Sequence, residues 1–186
     1  MDVLSYNFGW MIFNVVLALI PMLAGQVMLK NQNTLIKLIA GAIWLLFLPN
    51  TIYLLTDFTH FFEDLPYISG IYFLIDVFMY LLIIVLGVIS FVISINPFEQ
   101  LFFRSGKKIK RNMPVLFALN ILVGFGVVLG RVQRTNSWEV LTNLEKVIYD
   151  SINTVRSSEL FLLVIGIGVF CHLVYIAFEP LVIKKK

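Results

Sequence analysis

The chain has 186 residues, 60% of them hydrophobic and only 13% charged, with a net charge of +3 and a mean hydropathy of +0.93. A soluble domain of this size is nearer half apolar and about a quarter charged, and the excess here lies in runs too long for core helices, which a bilayer explains. The small positive charge sits beside those runs, which argues against nucleic acid as a partner and for anionic lipid headgroups.

Five apolar segments are predicted, together forming one integral membrane domain over residues 1–186. Only Asp2 is charged before Phe8. The basic region of a cleavable signal peptide is therefore lacking, and the first segment is expected to stay as an anchor. The spans are placed at about residues 8–29 (interrupted by Asn14, Pro21 and Gln26), 35–55, 67–95, 113–130 and 160–178. Each can cross a hydrocarbon core of about 30 Å as a helix, and helices satisfy their own backbone in lipid. The predicted fold is an all-α polytopic transmembrane helical bundle with short interfacial helices.

Lysine and arginine set the expected orientation. Lys30, Lys37, Arg104, Lys107, Lys108, Lys110, Arg111, Lys184, Lys185 and Lys186 make ten on one side, against Arg131, Arg134, Lys146 and Arg156, four on the other. The richer side is assigned to the cytoplasm, with the N-terminus outside and the C-terminus inside.

Two connecting segments read as surface helices. From Asn136 to Arg156, the residues Trp138, Leu141, Leu144, Ile148, Ile152 and Val155 recur at three and four and make one apolar stripe. Asn136 can cap this helix while Glu139 reaches back to it. On the other side, Asn96-Pro97-Phe98-Glu99 has similar helix-start chemistry. Either segment can pack against the protein or against lipid.

The polar stretch is Leu48–Asp64, LPNTIYLLTDFTHFFED. Pro49 leaves the carbonyl of Leu45 without its helical partner, and Asn50 beside it can repair the freed backbone. Asn50, Tyr53, Asp57, His60 and Asp64 follow at spacings of three, four, three and four, one face of a continuing helix. The rise from Leu35 to His60 is roughly 37 Å, which places His60 at the outer interface.

Asp76 enters the third span from the same side and costs about 2.5 kcal/mol or more if unpaired in lipid. Arg131 and Arg134 stand where the fourth span emerges there, three residues apart and so on one helical face. Topology is thus expected to bring Asp57, His60, Asp76, Arg131 and Arg134 to one depth.

Such a cluster admits several readings. It can be an ion-pair network tying spans together. It can be an outward pocket, with two arginines holding a phosphate or carboxylate and Asp57 with His60 as general base or proton relay. A metal set of Asp57, His60, Glu63 and Asp64 has one imidazole and no paired-histidine motif behind it. The sequence names no cofactor. A single cysteine, Cys171, rules out an internal disulfide. His172 reads as a packed or hydrogen-bonded core histidine. Gly124, Gly126 and Gly130 give the fourth span a thin face for close helix packing.

The stretches LPNTIYLLTDFTHF and GRVQRTNSWE resemble the paired signatures of bacterial membrane proteins grouped as domain of unknown function 1361. The match runs through Leu48, Pro49, Asn50, Tyr53, Thr56, Asp57 and His60, then Gly130, Arg131, Asn136, Ser137, Trp138 and Glu139. Ile52 stands where the pattern has a second proline, which implies a milder helix break. Glu139 replaces an aspartate and keeps its charge. The resemblance implies a polytopic bacterial inner-membrane protein and supplies no activity. Three function classes stay open: a binding or transport-related site for a small anion or lipid headgroup, a membrane hydrolase or transferase using Asp57 and His60, and a structural partner acting as a homo-oligomer or with another membrane protein.

Overall fold

The computed structural model describes residues 3–105, 108–109 and 112–183, without the side chains of residues 3–5, 59, 63, 104–105 and 108–109. Lys107, Lys110, Arg111, Lys184, Lys185 and Lys186, on which much of the orientation expectation rests, lie outside the described residues, as does the side chain of Glu63. The fold is all-α. Among the described residues, five helical stretches are long and apolar enough to cross a membrane: Tyr6–Lys30, Thr34–Phe62, Ile71–Phe102, Met113–Arg131 and Ser158–Val182. The chain divides into two compact units, residues 1–98 with 180–186, and residues 99–179.

The first unit contains α1 (Val3–Lys30), α2 (Thr34–Phe47), α3 (Pro49–Thr56), α4 (Thr59–Asp64) and most of α5 (Ile71–Phe102). Asn33 caps α2 by accepting the N–H groups of Leu35 and Ile36. The break at Pro49 is local, because Leu48 keeps helical dihedrals of φ −55° and ψ −39°. Asn50 donates its amide to the carbonyl of Phe47 at 3.0 Å, within the proline turn, and not to the Leu45 carbonyl that Pro49 leaves. Thr51 Oγ1 donates to the carbonyl of Leu48 at 2.8 Å, so the proline turn is stitched from within.

Two expectations are corrected in this unit. The face from Asn50 to Asp64 is not one helix, since α3 stops at Thr56 and α4 starts at Thr59. The connection tightens to three-residue bonds, His60 N to Asp57 O at 3.0 Å and Phe61 N to Phe58 O at 3.2 Å. The separate helix expected at Asn96-Pro97 is instead the last part of α5, which runs through Pro97 to Phe102. Packing holds that turn. Trp44 Nε1 donates to the Ser94 carbonyl at 2.7 Å, the Trp44 ring stacks on Phe98 at 5.6 Å, and the Pro97 ring fills the space over Gly25. Nearer the middle of α5, Gly87 lets α3 come close: a Cβ there would stand 2.9 Å from Leu54 Cβ and 3.2 Å from the Thr51 carbonyl.

The second unit contains α6 (Met113–Arg131), α7 (Glu139–Thr142), α8 (Leu144–Arg156) and most of α9 (Ser158–Val182), with a two-residue ladder of β1 (Arg104–Ser105) and β2 (Lys108–Ile109) before them. Asn112 caps α6. α6 and α9 meet at Gly124 and Gly168, where a Cβ on Gly124 would stand 2.6 Å from the Val164 carbonyl and 2.7 Å from the Gly168 nitrogen. The thin face read from the sequence therefore has its counterpart on the fifth span. Asn120 donates to the Leu116 carbonyl at 2.8 Å and faces His172 Nδ1 at 3.2 Å. His172 is thus a hydrogen-bonded histidine. α9 continues past Pro180 to Val182, slightly beyond the expected end.

The single surface helix expected from Asn136 is also corrected. Glu139 does accept the Asn136 N–H, but α7 ends at Thr142 and Asn143 (φ −150°, ψ 64°) starts a second helix by accepting the Lys146 N–H. An asparagine with helix-capping chemistry in the middle of the apolar stripe is the physical cause.

Candidate functional site

The polar residues of the first unit assemble around one face of α1. Asn7, Trp10 and Asn14 recur at three and four and so project from the same side of that helix. The Asn7 amide nitrogen donates to Asp64 Oδ2 at 2.7 Å and to Asp76 Oδ1 at 3.1 Å. Its own oxygen accepts from Trp10 Nε1 at 3.1 Å. Two turns on, the Asn14 amide donates to Asp57 Oδ2 at 2.8 Å. Tyr80, fully buried on α5, donates its hydroxyl to Asp64 at 3.0 Å.

Aromatic rings wall this cluster. Trp10 lies 5.6 Å from the His60 ring and 6.2 Å from Tyr80, and Phe58 and Phe61 meet Tyr80 edge-on at 6.2 and 5.4 Å. The low dielectric they create strengthens each amide–carboxylate bond and raises the cost of any buried polar atom left over. One such atom exists. Asp76 is fully buried, and its Oδ2 has no hydrogen-bond partner among the described residues. Asn7 spends both amide hydrogens on two carboxylates, so it has no donor left for that oxygen.

Of the residues singled out from sequence, Asp57, His60 and Asp76 therefore meet α1. Asp64, noted as the end of a polar face and in the metal set, shares Asn7 with Asp76. Asn50 is buried in the proline turn, and Tyr53, half-buried, lies one helical turn before Asp57. Asn7, Trp10, Asn14 and Tyr80 were absent from the sequence-based site. The signal for three of them was present: polar groups at three and four inside an apolar span, which lipid would disfavour unless partnered. Among the described residues no group of three or more side chains is arranged to hold a metal.

Arg131 and Arg134 belong to the second unit, and their expected helical spacing is corrected. α6 ends at Arg131, and Arg134 lies beyond it in the left-handed region with φ 54°, so helical periodicity no longer relates the two. That strained residue ends the helix: Thr135 N returns to the Leu129 carbonyl at 2.9 Å. Lys146 Nζ clasps the turn, donating to the Arg134 carbonyl at 2.9 Å and to Glu139 Oε1 at 3.0 Å. Glu139 is held below the ordinary carboxyl range, first by the Asn136 N–H and then by Lys146. Thr135 Oγ1 donates to the buried Asp150 carboxylate.

Five apolar helices among the described residues, each long enough to cross a bilayer, define a multi-pass integral membrane protein. Over residues 13–174 the chain matches the family described as Protein of unknown function (DUF1361), and it belongs to that family. No curated protein and no solved structure matches it.

Proposed function

We propose that the protein is a binding or transport-related membrane protein for a small ligand carrying a phosphate or carboxylate, a lipid headgroup being the favoured form. Within the first unit, Asp57 and Asp76, with His60 beside them, would hold the positively charged group of that ligand. The observation that supports this reading is the buried Asp76 Oδ2, which has no donor among the described residues and stands beside a second carboxylate on the same amide. An acceptor in that setting suits an ammonium group. Among headgroups, the zwitterionic ones then fit better than simple anions.

The distribution of basic residues supports an N-terminus outside and a C-terminus in the cytoplasm of a bacterial inner membrane. Native mass spectrometry of gently extracted protein tests the ligand. Wild type is expected to retain a zwitterionic lipid or metabolite that Asp76→Asn loses while remaining folded. Equal retention in both proteins would overturn the proposal.

A further inference from the structure

The α8 helix has three faces, and only one of them is covered. At roughly 100° per residue, Asp150 and Thr154 fall in one sector and are buried. Thr135 holds Asp150, and Thr154 Oγ1 bonds the Asp150 carbonyl at 2.8 Å. A second sector, Leu144, Ile148, Ile152 and Val155, is apolar and exposed. The third holds Glu145, Tyr149, Asn153 and Arg156 and is exposed and mostly polar. A helix on the surface of a soluble domain turns its apolar stripe inward; α8 turns polar groups inward and leaves the stripe open.

The connections place this helix at a membrane surface. Ser157 alone separates α8 from the α9 span, and the turn after the α6 span leads into α7 and α8. Beside the open stripe, α6 and α8 bound a groove of about 330 Å³ lined by Phe125, Ser151, Ile152, Val155 and Arg156. Its lining is mostly apolar and includes Arg156, for which no carboxylate partner occurs among the described residues.

We propose that α8 lies in the interface with its apolar sector in the acyl region, and that the α6–α8 groove holds one chain of a phospholipid whose phosphate sits on Arg156. Three sectors facing protein, hydrocarbon and water match the three media met at that depth. An Arg–phosphate contact at the rim supplies the charge complementarity. This site is separate from the Asp76 cluster and does not depend on it.

The test uses the full chain in phosphatidylcholine vesicles containing phosphatidylglycerol. In a Cys171→Ser background, nitroxides are placed by Ile152→Cys and, separately, Asn153→Cys. Position 152 is expected to be relaxed by oxygen and shielded from a water-soluble nickel chelate, and position 153 to show the reverse. Free access of the chelate to both positions, or shielding of 152 from both reagents by a protein partner or second copy, would overturn the placement. Arg156→Gln is expected to lower phosphatidylglycerol retention in native mass spectrometry about fivefold, in line with ~1 kcal/mol per basic side chain at an anionic surface. Unchanged retention would overturn the phosphate contact.

Discussion

Asn7 on α1 and Asp76 on α5 are joined by a 3.1 Å amide-to-carboxylate bond across 69 positions of sequence, and the same amide nitrogen reaches Asp64 at 2.7 Å. A neutral amide therefore does the work usually given to a cation, holding two acidic side chains beside each other. Asn7→Ala leaves both carboxylates without that donor and is expected to cost about 2–4 kcal/mol, read as a lowered unfolding temperature in detergent. Asn7→Asp should be worse, and Asn7→Asp with Asp76→Asn should recover much of the loss by exchanging the partners. Additive losses in the double variant would sink this account.

Trp44 locks the proline-bearing end of α5 through the Ser94 carbonyl, at 2.7 Å and fully buried. Trp44→Phe keeps a ring to stack on Phe98 and removes the donor. The expected loss is about 1–2 kcal/mol, with faster amide exchange confined to the turn around Pro97. Wild-type exchange there would show that the bond does not hold the turn.

Gly124 faces backbone atoms of α9, which cannot rotate away as a side chain can. Gly124→Ala should destabilise by about 1–3 kcal/mol through overpacking, whereas Gly166→Ala, with nothing within 4 Å of its added Cβ, should be close to neutral. Thermal unfolding of the two variants side by side separates close packing from general helix effects.

Glu139 supplies a pH dependence whose sign is fixed by the direction of its shift. Its carboxyl is held low by the Asn136 N–H and by Lys146. The stabilisation of the 134–146 turn is therefore present above the ordinary glutamate value of about 4.3 and is lost as pH falls through the lower folded value. Amide exchange at Asn136, compared at each pH with Glu139→Gln, should show protection that disappears in acid for wild type only. The same profile in both proteins would exclude the Glu139 clasp.

The sequence by itself determined the spans, because twenty or so apolar residues in a row have one comfortable medium. It also determined local features made within a turn or two: Glu139 reaching back to Asn136, and the glycine of the fourth span that needed a close neighbour. Where a local signal had a competitor it misled. Asn96-Pro97 has start chemistry, yet α5 continues because Trp44 and Gly25 pack around the proline. Asn143 stops a helix that periodicity alone would have carried on.

Only the tertiary structure decided which polar groups meet. Asn14 was an interruption in an apolar segment, and Asn7 lay just before it, until α1 was turned toward Asp64, Asp76 and Asp57. It also turned α8 so that Asp150 faces the protein and the apolar stripe does not. Hydropathy and periodicity report what a helix presents around its axis. The rotation and depth at which two helices meet come from packing, and those two quantities choose the partners.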